Sequence, residues 1–204
     1  MKIKITLEML ENLGVCKSGY DDFIRVTGGI YEAEWTLDEQ LKLLKTDLRK
    51  WYYWAVRKNI IPMWSMVGVD LSDTNLNGAD LTGVNLSEAY LACSDLSRSR
   101  LYTSYLYRIN FSRANLYGVE FFKSYLEKAN FFGANLTCAD FTKANLTGAN
   151  FIGSNLYCAN FSCANLIDVD FYSADLNGAN FSNVIINKHT RFPEDFDLSR
   201  LDKK

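Results

Sequence analysis

Residues 129–153 read ANFFGANLTCADFTKANLTGANFIG, which is five consecutive units of five residues. Each unit begins with Ala, continues with Asn or Asp, and has Phe or Leu as its third residue. The spacing extends well beyond this stretch: from Leu71 to Ile186 every fifth residue is bulky and apolar, through 24 units without an insertion. Two positions before each of these centres lies a small or β-branched residue, and the residue between is usually Asn or Asp.

A period of five fits neither a helix nor a strand. Their periods of 3.6 and 2 would spread the apolar centres over every face. All the centres are buried if the chain turns a corner once per unit and four units close a roughly square coil. Large and small residues then fill the interior together, as a close-packed core requires. From Phe111 to Phe181 Phe and Leu alternate, so Phe is predicted to stack on two opposite faces and Leu on the other two.

These units resemble the pentapeptide-repeat family. Its pattern, A-(D/N)-L-x-x, is met by residues 79–83 (ADLTG) and, with Phe as the centre, by residues 149–153 (ANFIG). The resemblance covers roughly Val69 to Asn187. It implies a mainly β fold, a right-handed quadrilateral parallel β-helix with twenty residues per coil and about six coils. Strands about 4.8 Å apart would give a rod of roughly 29 Å.

Residues 1–66 lack the repeat, and we expect a small helical N-terminal domain. Thr6 is a candidate cap for a first helix, and residues 37–59 carry the apolar stripe of a longer one. Two roles remain open: a hydrophobic cap on the first coil, or a recognition module for a partner. The stretch Ile5–Tyr20 is similar to short N-terminal modules of small phage and bacterial proteins. All four tryptophans lie in this segment: Trp35, Trp51, Trp54 and Trp64.

The repeat domain is predicted to span residues 67–188 and to be followed by a C-terminal cap or tail at 189–204. An open solenoid end exposes apolar surface and unpaired backbone, which natural repeat proteins cover. The period breaks after His189, and we expect Phe192, Phe196 and Leu198 to fold over the last coil.

We expect a soluble, cytoplasmic protein, because no leader is recognised at Met1 and no apolar run is long enough to span a bilayer. The formal net charge is −2 and the pI is about 5.5, so no strong overall charge points to nucleic acid. Catalytic, cofactor and metal sites are not expected: a base must lie within reach of a nucleophile, zinc sites need clustered ligands, and the single histidine is His189. Cys138 and Cys158 are twenty residues apart and would lie one coil apart, within disulfide range. Without a secretory signal, reduced thiols are favoured. The five cysteines are Cys16, Cys93, Cys138, Cys158 and Cys163.

At a period of twenty, residues 101–108 stack against residues 121–128. This pairing sets Tyr102 beside Phe122, Tyr105 beside Tyr125 and Arg108 beside Lys128, with the side chains exposed around one corner of the coil. Aromatic residues next to cations are typical of interface hot spots. The alternative is that they only strengthen the sheet through cross-strand pairs. The candidate partner-binding residues are Tyr102, Tyr105, Tyr107, Arg108, Phe122, Lys123, Tyr125 and Lys128.

Two functions follow. The first is a non-catalytic scaffold that binds another protein through the outer faces of the solenoid. The second is a DNA mimic acting on a DNA-handling enzyme, because some pentapeptide-repeat proteins imitate duplex DNA and bind DNA gyrase; a host or phage defence factor is a related target. Between Asp70 and Lys188 there are 11 acidic and 8 basic residues, a net charge of −3. This low charge disfavours the mimic, and direct nucleic-acid binding is not expected. The oligomeric state remains open.

Overall fold

The computed structural model describes residues 2–6, 30–34 and 66–201. The chain divides into two compact units, Met1–Trp64 and Ser65–Lys204. No helix within these described ranges is long and apolar enough to cross a bilayer.

The first unit contains a two-stranded antiparallel sheet. Strand β1 (Lys2–Thr6) pairs with strand β2 (Ile30–Glu34), so that Lys2 lies opposite Glu34. The prediction of a helical N-terminal domain is wrong for these two stretches. The β1 sequence KIKIT alternates Lys with β-branched Ile, a period of two that favours a strand. The helices predicted after Thr6 and over residues 37–59, and all four tryptophans, lie outside the described residues.

The second unit is a four-sided parallel β-helix with twenty residues per coil. One residue in every five forms a parallel bridge with the residue twenty positions later, from Asp70 with Tyr90 to Asn165 with Ile185. We call these residues the bridge positions. Backbone hydrogen bonds join successive coils beside each bridge, as between Leu116 N and Asn135 O at 2.7 Å. Residues 66–185 make six such coils, which confirms the predicted fold class.

A β-turn forms each corner. In the turn that begins at Leu76, the Ala79 N–H donates to the Leu76 carbonyl at 3.0 Å, and Gly78 has φ +65°. The equivalent residue has a positive φ in the other units, and sixteen of these residues are not glycine. A side chain in this left-handed conformation costs roughly 1–2 kcal/mol. The turn therefore accepts polar and charged residues and cysteine here while favouring glycine.

The interior consists of apolar side chains spaced five residues apart. Every fifth residue from Met66 to Phe181 is buried, and so are the small residues between them. Phe side chains twenty residues apart stack with centroids 4.6 to 5.4 Å apart. Phe side chains ten residues apart meet edge to face at 5.6 to 6.0 Å, because they come from opposite faces of the coil. The predicted arrangement of Phe on two opposite faces is confirmed.

Ile186 was expected inside and is instead 40% exposed. The prediction fails here because no further coil pairs with this part of the chain. A turn between Asn187 and Thr190 inserts one residue into the register, so that Asp170 bridges Arg191 rather than residue 190. Phe192 consequently takes the next inward place and stacks on Phe171 at 5.5 Å.

The C-terminal segment lies over the last coil, where the sequence predicts it. Phe196 stacks on Phe192 at 4.4 Å and contacts the edge of Phe181 at 5.3 Å. Leu198 does not join them: it starts a short 3₁₀ turn (Leu198–Arg200) and is 63% exposed, which corrects the expectation for this residue. The Asp197 carboxylate accepts the Ser199 N–H at 2.9 Å and caps the start of that turn.

Candidate protein-binding surface

Asn or Asp at a bridge position holds both its own turn and the neighbouring coil. The Oδ1 atom of Asn130 accepts the N–H of Phe132 at 3.1 Å and the Nδ2 of Asn150 at 3.2 Å. The Nδ2 of Asn130 in turn donates to Asn110 Oδ1 at 3.2 Å. The same hydrogen bond recurs along the solenoid: the Oδ1 of the bridge residue accepts the backbone N–H two residues later, as Asp170 Oδ1 accepts the Tyr172 N–H at 2.9 Å. The fold therefore has a physical reason to keep Asn or Asp at these positions.

Six bridge positions between residues 70 and 185 depart from this rule. Five of the six fall between residues 90 and 125, on two adjacent coils, and three of these five are tyrosines. Asn and Asp serve the turn better than Tyr or Arg, so these substitutions give up local hydrogen bonds. A cluster of such departures marks a surface whose composition the fold does not dictate. The six residues are Tyr90, Arg100, Tyr105, Glu120, Tyr125 and Ile185.

Tyr105 and Tyr125 form the centre of this cluster. Their rings stack with centroids 5.1 Å apart and planes 6° apart, and the side chains are 53% and 45% exposed. Tyr107 follows on the same face and is 39% exposed. This ladder of flat, exposed rings matches the predicted Tyr105–Tyr125 pair.

The adjacent face carries a second aromatic pair. Tyr102 meets Phe122 edge to face at 6.2 Å, and the Lys123 Nζ lies 5.2 Å from the Phe122 ring centroid. Arg108 and Lys128 occupy the same turn position of adjacent coils, and both are exposed. The structure thus places all eight sequence-predicted residues on one side of two adjacent coils, at the bridge pair Tyr105–Tyr125 and on the turns that precede and follow it. We call this set the aromatic corner.

Sequence reasoning missed three residues that adjoin the aromatic corner. The Tyr102 hydroxyl donates a hydrogen bond to the Glu120 carboxylate, and this bond raises the pKa of Tyr102 above its usual value of 10.0; burial and the Glu120 charge act in the same direction. On the other side, Glu88 and Tyr90 line a shallow depression together with Arg108. The absence of Asn or Asp at 90 and 120 is the signal that identifies Tyr90 and Glu120.

A second aromatic stripe runs along another face. Phe132 and Tyr172 are 43% and 47% exposed, with the half-buried Ile152 between them. The Arg191 guanidinium lies 5.5 Å from the Tyr172 ring and also pairs with Asp170 at 2.8 Å. Because this stripe occupies turn positions and leaves Asn or Asp in place at the bridge positions beside it, it carries a weaker functional signal.

The groups needed for metal binding are dispersed along the described solenoid. Within residues 66–201, as in 2–6 and 30–34, no three His, Cys, Asp or Glu side chains lie together in a way that could hold a metal ion. His189 is exposed in the C-terminal turn, where its backbone N–H donates to Asn187 Oδ1 at 3.1 Å.

Eight copies of the family profile described as pentapeptide repeats match this sequence, over residues 65–102, 109–148, 134–171 and 144–183. The chain belongs to the pentapeptide-repeat family. The match confirms the resemblance seen in the sequence and the right-handed quadrilateral β-helix that it implies. It includes residues 65–102 and 109–148, so most of the aromatic corner lies within recognised pentapeptide repeats.

Solved pentapeptide-repeat proteins are similar to this chain at low identity. HetL, from the cyanobacterium Nostoc sp. strain PCC 7120 and involved in heterocyst differentiation regulation, is 19% identical over 64% of this chain and 92% of its own, with a TM-score of 0.35. Rfr23, from the cyanobacterium Cyanothece 51142, is 20% identical over 68% and 95%, with a TM-score of 0.29. QnrB1, a plasmid-mediated fluoroquinolone resistance protein, is 19% identical over 63% and 87%, with a TM-score of 0.22. No curated protein sequence matches the chain.

Proposed function

We propose that this pentapeptide-repeat protein is a non-catalytic scaffold that binds another protein through the aromatic corner. The observation that carries the proposal is the loss of Asn and Asp at five bridge positions between residues 90 and 125, where exposed tyrosines and charges take their place. Stacking of Tyr105 on Tyr125 and the ion pair between Arg100 and Asp80 at 3.8 Å give these substitutions a partial structural reason, but the tyrosine rings remain exposed. Tyr and Arg are among the residue types most enriched at the hot spots of protein interfaces.

The backbone of the aromatic corner supports such a role because it is held before any partner arrives. Tyr105 and Tyr125 bridge each other, and Tyr125 bridges Asn145 in the next coil. The Tyr105 N–H donates to Val84 O and the Tyr125 N–H to Ser104 O, both at 2.9 Å. A partner would therefore meet rings that are already stacked, and binding would lose little side-chain entropy.

A capture experiment with two matched variants tests the proposal. Tyr105→Asn with Tyr125→Asn restores the repeat residue and removes the central rings. Tyr117→Thr with Tyr157→Thr removes two tyrosines, 40% and 50% exposed, from the opposite face, where Thr137 is the equivalent residue of the intervening coil. Wild type and both variants would serve as bait in native-cell extract, and affinities would then be measured with the purified partner.

We expect the first variant to bind the partner at least ~10-fold more weakly, since truncating a hot-spot residue costs about 2 kcal/mol or more. The opposite-face variant is expected to bind like wild type. Circular dichroism before and after heating checks that both variants are folded. Equal affinity of all three proteins for every captured partner would contradict the assignment of the aromatic corner.

No observation favours the DNA mimic over the scaffold. A mimic needs a continuous acidic face, whereas each face of this solenoid mixes signs. The face with Glu88 and Glu127 also carries Arg108 and Lys128. A supercoiling assay with DNA gyrase separates the two functions: inhibition or protection at micromolar concentration that survives removal of the aromatic corner would favour the mimic.

A further inference from the structure

Cys138 and Cys158 occupy equivalent sites in successive coils. Both are exposed, both lie at the turn position of positive φ, and both have φ +57°. Their backbone N–H groups make the same bond to the next coil, to Tyr157 O and Asn177 O respectively, each at 2.9 Å. The step from Cys138 to Cys158 therefore repeats the step from Cys158 to Gly178.

The distance from the Cys158 sulfur to Gly178 shows how close a cysteine sulfur at this position lies to the next coil. A methyl group placed on Gly178 as a side-chain Cβ would lie 3.0 Å from the Cys158 sulfur. Within a disulfide, an S–S bond of about 2.05 Å at normal angles holds each sulfur about 3 Å from the partner's Cβ. A Cys138 sulfur in the same orientation would thus lie about 3 Å from the Cβ of Cys158, which is the distance found when the two sulfurs are bonded. The coil spacing of about 4.8 Å also lies within the Cα range of disulfides.

The pKa of the Tyr157 hydroxyl depends on both cysteines. The pKa of Tyr157 is raised, chiefly by a hydrogen bond to Cys158 and by the charge of Cys158, and the charge of Cys138 adds to the effect. The two thiols therefore lie within electrostatic range of the same exposed hydroxyl.

We propose that Cys138 and Cys158 are a redox-active dithiol that closes into a cross-coil disulfide on reaction with a small-molecule disulfide. The thiolate of one cysteine attacks a sulfur of the oxidant, forms a mixed disulfide and expels the first small-molecule thiolate. After rotation about χ1, the second cysteine thiolate attacks the protein sulfur of that mixed disulfide and expels the second. The protein dithiol is oxidised by two electrons, the oxidant becomes two thiols, and the two cysteine protons go to the expelled thiolates.

The same chain supplies a matched control. Cys93 and Cys163 are also exposed and also lie at the positive-φ turn position. The equivalent residues in their neighbouring coils carry no thiol: Asp73 and Arg113 beside Cys93, Lys143 and Asn183 beside Cys163.

The experiment uses two triple variants of the full chain. The dithiol variant carries Cys16→Ser, Cys93→Ser and Cys163→Ser, so that only the proposed pair remains. The control variant carries Cys16→Ser, Cys138→Ser and Cys158→Ser. Each is incubated with oxidised glutathione, checked for its size by gel filtration, and assayed for free thiols in denaturant. Trypsin cleavage after Lys128, Lys143 and Lys188 then places Cys138 and Cys158 in separate peptides, 129–143 and 144–188.

We expect the dithiol variant to lose both thiols without changing its size and to yield peptides 129–143 and 144–188 joined by a disulfide. Reduction should separate them, and oxidation should raise the midpoint of thermal unfolding by several degrees, because the bond ties adjacent coils together. The control variant should form only glutathione adducts or remain reduced. The proposal would be overturned if the dithiol variant formed only glutathione adducts, linked two molecules instead of two coils, or kept both thiols.

Discussion

Replacing Asn130 with Ala tests whether bridge-position side chains hold the coils together. The substitution removes three hydrogen bonds: with the Phe132 N–H at 3.1 Å, with Asn150 Nδ2 at 3.2 Å and with Asn110 Oδ1 at 3.2 Å. A hydrogen bond contributes about 0.5–1.5 kcal/mol net, and these bonds are partly exposed, so we expect the free energy of unfolding to fall by about 2–3 kcal/mol.

Asn155→Ala is the matched control because Asn155 caps its turn but, among residues 66–201, its side chain makes no hydrogen bond to the coil before it. Its Oδ1 accepts the N–H of Tyr157 at 3.0 Å, the same turn bond that Asn130 makes. This substitution should cost about 1 kcal/mol. The difference between the two variants, about 1–2 kcal/mol, then isolates the side-chain bonds between coils.

Urea unfolding followed by circular dichroism measures this difference. With a slope of about 2 kcal/mol/M, the midpoint of Asn130→Ala should lie about 0.5–1 M below that of Asn155→Ala. Asn130→Asp keeps the acceptor and loses the donor, so it should fall between the two. Equal midpoints for the two Ala variants would refute the idea that these side chains couple the coils, and the argument from departures at bridge positions would lose its basis.

Two further predictions concern the turns and the aromatic corner. Lys143 has φ +60°, so Lys143→Gly should relieve the left-handed backbone and raise the free energy of unfolding by up to about 1 kcal/mol; Lys143→Ala should not, and chemical denaturation compares them. Glu120→Gln should lower the pKa of Tyr102, because the Glu120 bond and charge raise it. The pKa of Tyr102 is higher in the folded than in the unfolded chain. The contribution of the Tyr102–Glu120 hydrogen bond to the free energy of unfolding is therefore complete below pH ~10 and is lost as the pH rises through the raised pKa. Ultraviolet titration against Tyr102→Phe measures this shift.

The interior of the solenoid could be predicted from sequence because the register is local. Each apolar centre is followed three residues later by the bond that closes its turn, so the spacing alone assigns the inward positions from Leu71 to Phe181. Ile186 shows the limit: its spacing is correct, but burial also requires another coil beside it. Strands β1 and β2 show a second limit, since they pair residues 24 to 32 positions apart and neither carries the repeat.

The aromatic corner could be predicted in part for a related reason. Pairs twenty residues apart follow from the period, so Tyr102 with Phe122 and Tyr105 with Tyr125 are found by aligning successive coils. The bond between Tyr102 and Glu120 spans eighteen residues, because a turn side chain reaches back to a bridge position of the next coil. Such diagonal contacts depend on side-chain length and direction, which a strict period of twenty does not include.

The bridge positions of the aromatic corner lack the stabilising Asn contacts found elsewhere in the repeat, which indicates a role other than folding. At Tyr105 and Tyr125 the chain gives up the Asn side chains that cap turns and join coils elsewhere, as Asn145 and Asn165 do on the same face with Nδ2 to Oδ1 at 3.2 Å. Stacked rings return part of that energy to the solenoid. If ring stacking fully replaced the stabilisation lost with Asn, Asn at positions 105 and 125 would leave the free energy of unfolding unchanged. If ring stacking replaces only part of it, Asn at both positions raises the free energy of unfolding. Stability that rises while binding falls is the pattern expected when residues are selected for a partner rather than for the fold.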